Sequence, residues 1–417
     1  MEGAARQQYW MIAVALVLAL AMRVWALWLA GDISHYGDPL NYIRLATALG
    51  EGQGLVTPNP TGGFVAAALY PPGLPLLLAA VGLVLPLDAV TLTLLNTLID
   101  LAAASLLARL AILLGRRDLG VPVALAYLLW PSIAFMAPLA YKEGLVIALL
   151  LAMLVALLEQ ARRPGFRWAL ASGVAAGSLV LTQPGLAPLP ALMFLALIGH
   201  FENRSRWLSV SACAAGAALA VMLPWWVRNA VRFGEFIPLT TSSGLALWVG
   251  AQPDGGMVWK APPPEWGRAG ELGSSRLAAA EAVRIIADDP LGYVTRCLAK
   301  FPKSFFTTNW AIDQLVLAPD APWSAGAESK LARVGPTLVE LGAALLALLG
   351  LLRFPRSTAA LLLGACLAHV LLFGIWFEFS ERHRLFMVPA ILLVAAIAVT
   401  GSSRRKATNG VSASFDP

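Results

Sequence analysis

Residues 37–75 read GDPLNYIRLATALGEGQGLVTPNPTGGFVAAALYPPGLP, between one long apolar segment and a series of further ones. An acid followed at once by proline starts a helix: the carboxylate accepts an orphan amide and proline fits the first turn. Asp38 is therefore a candidate N-cap. Tyr42, Leu45, Ala46 and Leu49 then recur at helical spacing and give one apolar face on a helix too short to cross a bilayer. Such a helix is expected to lie along a membrane surface. Gly50, Gly52 and Gly54 end it, and Tyr70-Pro71-Pro72-Gly73-Leu74-Pro75 favours an extended approach to the next apolar run. The stretch thus holds an acidic group at the boundary of water and lipid.

Composition agrees with that setting. Of 417 residues, 59% are hydrophobic and only 13% charged, too apolar for an ordinary soluble domain. Mean hydropathy is +0.72, and an integral membrane protein is expected. The formal charge of +6 is scattered between apolar segments with no aromatic-basic face, so no nucleic-acid partner is implied. Cys213, Cys297 and Cys366 lie far apart, which excludes a CxxC-type metal site and implies no disulfide framework. Residues 9–30 are long enough to span, and bulky Trp28 disfavours cleavage after Ala30, so an uncleaved first helix is expected.

Further apolar runs lie at 88–114, 121–140, 144–160, 168–183, 185–200, 207–226, 334–352, 358–377 and 385–400, making about ten in all. Arg116 and Arg117, then Arg162, Arg163 and Arg167, then Arg204 and Arg206, then Arg353 and Arg356, then Arg404, Arg405 and Lys406 fall in alternate short connections. This bias predicts that those connections and both termini are cytoplasmic. Residues 73–86 are apolar but short, and counting them as a span would reverse every later loop; they are expected to be re-entrant or to lie on the surface. The expected class is an all-α polytopic bundle of about ten transmembrane helices with juxtamembrane helices. Its modules are an N-terminal one over 1–227, with a first outer loop at 31–87, an outer segment with surface helices over 228–333, C-terminal helices over 334–401 and a cytoplasmic tail over 402–417. In the outer segment Asp289-Pro290 is expected to cap a helix carrying Tyr293, Cys297, Lys300 and Phe301. The tail from Thr408 is expected to be disordered.

Charged or strongly polar groups at the outer ends of these runs are few: Asp38, Lys142, Glu143, Gln183, Arg228, Arg232, Glu378, Glu381, Arg382, His383 and Arg384. Their concentration suits a site for an anionic group near lipid, because arginine binds phosphate bidentately and stays charged. Asp38 reads equally as a helix cap and as a general base. Glu143 reads as a second acid or as a loop charge paired with Lys142. Arg382 and Arg384 read as a phosphate clamp, as a snorkelling flank of the last helix or as partners of Glu378 or Glu381, and Arg228, after Trp225-Trp226, as an interfacial anchor. His35 and His383 are the outer histidines; no HExxH or paired-His spacing occurs, so a tightly bound zinc is not expected.

Four stretches taken together and in order, GDPLNYIRLATALGEGQG with YPPGLPLLLA, APLAYKEGLVIALLLA, LPWWVRNAVRFGEFIPLTTSSGLALWVGAQP and ERHRLFMVPAILLVA, carry a resemblance. The chain resembles the GT-C fold glycosyltransferases that use polyprenyl-phosphate sugars, in particular the bacterial branch similar to aminoarabinose transferases and protein O-mannosyltransferases. The resemblance implies an inner-membrane enzyme of the bacterial envelope. It would move a hexosyl or pentosyl group from a polyprenyl-phosphate-linked donor to an envelope acceptor, whether lipid such as lipopolysaccharide, glycan or protein, at a periplasmic or extracellular face. It puts Asp38 and Glu143 at the catalytic acid positions, Lys142, Arg228, Arg382 and Arg384 at the donor phosphate, and Tyr42, Tyr70 and His383 in the substrate pocket. No cofactor is specified, and a divalent metal stays open. The chain departs from the pattern at Pro39, where a second acid is common, at Tyr70, where the aminoarabinose branch often has lysine, and at His383, which replaces a tyrosine. The alternatives are a lipid-linked-sugar flippase or transporter, which would bury charges at mid-membrane, and a non-catalytic envelope assembly partner of the same fold.

Overall fold

The structure is a computed structural model that describes residues 2–31, 37–58, 64–306, 312, 315 and 327–408. His35 and the tail residues 409–417 lie outside the described residues. In chain order the helices are α1 Glu2–Ala30, α2 Gly37–Gly50, α3 Gly73–Gly82, α4 Ala89–Leu113, α5 Gly120–Leu128, α6 Pro131–Phe135, α7 Glu143–Arg162, α8 Phe166–Thr182, α9 Leu189–Ala196, α10 Arg204–Phe233, α11 Ser243–Ala251, α12 Gly270–Asp288 and α13 Pro290–Lys303. They continue with α14 Ala327–Arg353, α15 Thr358–His369 and α16 Val388–Thr408, the last preceded by a 3-10 turn at Glu381–Met387. Between α2 and α3 a two-stranded antiparallel hairpin pairs β1 Val56–Pro58 with β2 Phe64–Ala66, a small exception to the all-helical expectation.

Among the described residues six helices are long and apolar enough to cross a membrane: Tyr9–Ala30, Ala89–Leu113, Glu143–Arg162, Arg204–Phe233, Val334–Arg353 and Glu381–Gly401. The chain is a multi-pass membrane protein. The other four expected spans are shorter or broken. Pro131 splits 121–140 into α5 and α6, and Pro184 and Pro188 leave only short pieces of 185–200, because proline removes an amide donor and clashes with the preceding turn. The expected span 168–183 is the 17-residue helix α8, Phe166–Thr182, and 358–377 become α15 followed by a π-helical turn over Val370–Gly374. Residues 73–82 form the ten-residue helix α3, too short to span, as expected.

Helix starts follow local chemistry. Asp88 caps α4 by accepting from the Thr91 amide at 2.8 Å, Asn203 caps α10 from Arg206 at 2.8 Å, and Asp289 caps α13 from Gly292 at 2.9 Å beside Pro290. Helix α10 continues past the expected module boundary at 227 and ends at Gly234, whose φ of +70° suits glycine.

The arginine-bearing connections gather at one end of the bundle. Arg162 donates to the Leu113 carbonyl, Arg116 to the Thr400 hydroxyl, Arg206 to the Gln160 carbonyl at 3.2 Å, and His200 lies 3.2 Å from the Thr358 hydroxyl. Helix α7 runs from that end, at Arg162, to the opposite end, at Glu143. Helices α11, α12 and α13 of the polar segment pack at the Glu143 end, where Lys300 and Tyr293 reach the chain at 375–377. A small apolar cluster of Tyr42, Ala46, Leu74, Leu78, Ala79, Leu92 and Ala140 joins α2 and α3 to α4, so α2 is fixed against the bundle.

Candidate functional site

The first turn of α2 meets the 3-10 turn at Glu381–Met387. Arg382 Nη1 donates to Asp38 Oδ2 at 2.8 Å across 344 residues of sequence. The other carboxylate oxygen, Oδ1, accepts from the Tyr70 hydroxyl at 2.9 Å, and that hydroxyl in turn accepts from Asn41 Nδ2 at 2.8 Å. Helix α2 already begins at Gly37, so Asp38 lies within the helix, and its two oxygens are engaged by side chains from elsewhere in the fold. A second acid, Glu378, approaches Arg382 Nη2 at 3.8 Å. The Arg382 guanidinium also lies over the Tyr141 ring at 5.8 Å, and the Lys142 ammonium over the Tyr42 ring at 5.9 Å. Glu143 is buried at the start of α7, and its Oε2 has no hydrogen-bond partner among the described residues.

Two bases and three acids thus converge at one end of an apolar bundle. Burial alone would raise the Asp38 carboxyl, but the adjacent Arg382, with Lys142 and the Tyr70 hydrogen bond, holds it below the usual carboxylate range. Glu378 is pushed up by burial, against Arg382, and the Lys142 ammonium is pushed down by burial, against Glu143. Burial also raises the Tyr70 and Tyr42 phenols, with Asp38 adding to both, so Tyr70 keeps its proton and its hydroxyl donates the hydrogen bond to Asp38. Asp38 is the acid of the group whose carboxyl is held low.

Both halves of the site are held from outside. Glu271 of α12 accepts from the Ala68 amide at 2.7 Å and from the Thr241 hydroxyl at 2.5 Å, and the Thr241 amide donates to the Ala68 carbonyl at 3.1 Å. This fixes the strand leading to Tyr70. On the other side Lys300, 1% exposed, donates to the carbonyls of Gly250, Ile375 and Phe377 at 2.9–3.1 Å. The Glu378 amide donates to the Ala246 carbonyl at 2.9 Å, and the Tyr293 hydroxyl to the Trp376 carbonyl at 2.5 Å. Gly250 packs so closely on Phe377 that a Cβ there would lie 2.5 Å from backbone. The polar segment therefore orients the loop that carries Glu378 and Arg382.

Three residues expected at the site point elsewhere. Arg384, 1% exposed, pairs with Glu340 of α14, donates to the Ser304 carbonyl at 3.1 Å and lies 3.9 Å from the Phe305 ring centre. The reason is geometric: at three residues per turn, positions 382 and 384 cannot share a face. Arg228 donates to the Leu55 carbonyl and to Asn229 and lies over the Trp225 and Phe233 rings at 5.2 and 5.6 Å, the anchoring alternative of the sequence. His383 accepts from the Ser380 amide at 3.0 Å and stacks on Phe379, capping its own turn. Asn41 and Tyr141, by contrast, take part in the site without having been assigned to it, and Glu378 enters it as the partner of Arg382 that the i, i+4 spacing offers. Among the described residues no group of three or more His, Cys, Asp or Glu side chains forms a metal site.

The chain's sequence matches no protein-family model and no curated protein. Its fold does have solved counterparts. It is similar to the oligosaccharyltransferase AglB of Archaeoglobus fulgidus in complex with an inhibitory peptide and a dolichol-phosphate, at 14% identity and a TM-score of 0.54, over 98% of this chain and 53% of that one. The apo form of the Archaeoglobus fulgidus oligosaccharyltransferase matches at 15% identity and a TM-score of 0.56, over 97% of this chain and 52% of that one. The chain therefore spans about half the length of those enzymes, and what it shares with them is the architecture of a polytopic GT-C membrane protein.

Proposed function

We propose that this protein is a glycosyltransferase that moves a sugar from a polyprenyl-phosphate donor to a hydroxyl acceptor of the cell envelope, at the membrane face where Asp38 lies. The sequence resemblance to the bacterial aminoarabinose and O-mannosyl transferases supports a bacterial inner-membrane enzyme with a periplasmic or extracellular site. The single observation that carries the reading is the Asp38–Arg382 ion pair, with Lys142 beside it, at one end of an apolar bundle.

The acceptor hydroxyl oxygen attacks the anomeric carbon, the bond from that carbon to the phosphate oxygen breaks, and the bonding electrons leave with the lipid phosphate. The acceptor proton passes to the Asp38 carboxylate. Negative charge grows on the departing phosphate, and Arg382 and Lys142 are the cations placed to stabilise it in a water-poor setting. Tyr70 and Asn41 orient Asp38, and Tyr42 supports Lys142. Glu143 is the second acid of the site. Arg384 acts at one remove, holding the 3-10 turn to α14 through Glu340.

Mass spectrometry of envelope lipids and glycans with and without the protein tests this: a missing sugar and an accumulated lipid donor are expected. Unchanged profiles in both would overturn it. A transporter also draws on one observation, the Arg23–Asp100 pair inside the spans at 2.7 Å. That pair is closed by Tyr127 at 3.2 Å and by the Leu128 carbonyl at 3.0 Å, an arrangement suited to joining helices. Movement of the lipid donor across vesicles without any covalent product would favour the transporter.

A further inference from the structure

Arg382 cannot serve Asp38 and a phosphate at full strength together. Its Nη1 is taken by Asp38 at 2.8 Å and its Nη2 faces Glu378 at 3.8 Å, while its Cζ lies over the Tyr141 ring, 5.8 Å from the ring centre. The planar fork that would receive two phosphate oxygens is thus turned toward two carboxylates of the protein. The Arg382 side chain is only 12% exposed, so an incoming anion has little room to bind beside these partners.

We propose that the donor's phosphate group displaces Asp38 from Arg382, so that donor binding itself releases the carboxylate to serve the acceptor. This rests on the proposed glycosyl transfer and adds its order: donor first, then acceptor activation. Without donor, Asp38 is idle, tied to Arg382 and to Tyr70. With donor, the phosphate takes the guanidinium and Asp38 keeps Tyr70 alone. The cation that held its carboxyl low is then neutralised, which makes Asp38 a stronger base when a sugar is present to be transferred. Unproductive proton abstraction at an empty site is suppressed by the same contact.

The consequence runs against the usual effect of removing a site residue. Asp38 competes with the ligand, so replacing it should tighten binding of a lipid phosphate while abolishing transfer. The test uses the full chain purified in detergent, titrated with a polyprenyl monophosphate, with inorganic phosphate and with the matching prenyl alcohol. Asp38→Asn should bind the lipid phosphate at least about tenfold more tightly than wild type, because the binding-competent fraction no longer has to be drawn from the ion pair. Glu378→Gln should shift affinity the same way by less, given its longer contact, and it decides the matter if Asp38→Asn does not fold. Arg382→Met should lose binding. Inorganic phosphate should rank the proteins in the same order at higher concentration; binding as tight as that of the lipid would make free phosphate the occupant and overturn the proposal. The prenyl alcohol should not distinguish wild type from Asp38→Asn; the same ranking with it also overturns the proposal. If wild type binds and Asp38→Asn binds equally or more weakly, the displacement is wrong but the anion site stands. If neither protein binds either phosphate, the glycosyltransferase reading falls with it.

Discussion

At Arg382 the proposed chemistry depends on shape as well as charge. The guanidinium reaches Asp38 with one nitrogen and faces Glu378 with the other, and it lies over the Tyr141 ring at 5.8 Å. A lysine carries the charge but neither the fork nor the plane. Arg382→Lys should therefore lower transfer by about 100-fold or more, the usual effect of losing one stabilising donor at a developing charge, with far less effect on protein yield. Assay with a radiolabelled lipid-linked sugar would measure it, and a loss under about threefold would remove Arg382 from the phosphate. Asp38 makes a second residue-scale prediction through pH. Its folded carboxyl titrates below the ordinary value of about 4, so the pair adds stability above that value and the contribution is lost as pH falls through the folded value. The thermal midpoints of wild type and Asp38→Asn in detergent should differ at pH 7 and converge below about pH 4. A gap that widened toward acid would contradict the assignment.

Elements in this protein are joined by small residues where the backbone must approach closely. On α8, a Cβ at Gly173 would lie 2.2 Å from the Ala214 carbonyl oxygen, and one at Gly177 would lie 2.7 Å from that of Ala218. Four-residue spacing on both helices makes a small-residue seam along α8 and α10. Gly173→Val should cost about 3 kcal/mol, the upper range for overpacking, read as a lower thermal midpoint, while Gly216→Val on open surface should not. The sequence GVAAG at 173–177 carried this signal, but a spacing of small residues names no partner until a second helix is in view. The same limit explains the spans. Apolar length revealed where membrane segments lie, yet Pro131, Pro184 and Pro188 decide whether a segment is one helix, and hydropathy counts proline only as one more uncharged residue. Arg382 and Arg384 show a related limit: two residues of separation suit a clamp in sequence, and the 3-10 turn sends them to different faces, Arg384 to Glu340.

Across the whole molecule, scarcity of charge made the candidate cluster legible in the sequence. With 13% charged residues, few polar groups could meet at the Glu143 end, and Asp38, Lys142, Glu143 and Arg382 do so from distant parts of the chain. What could not be read is the pairing inside the spans, because a lone arginine or aspartate in an apolar run gives no hint of its mate. Most apolar side chains of α1 are exposed, so α1 is held largely through what it buries. Arg23, 2% exposed, bonds Asp100 of α4 at 2.7 Å and the carbonyl of Leu128 in α5 at 3.0 Å, thereby fixing α1 to two other helices. Removing either partner leaves a buried charge without its counter-charge, at a cost of about 3–5 kcal/mol, whereas removing both relieves the desolvation of both. Arg23→Leu and Asp100→Leu should each lower the thermal midpoint sharply, and the double variant should recover most of the loss. If the two losses simply added, the ion pair would not be what attaches the first helix. The order of stability would then have to come from apolar contacts between α1 and α6, such as Trp25 on Phe135 at 5.2 Å.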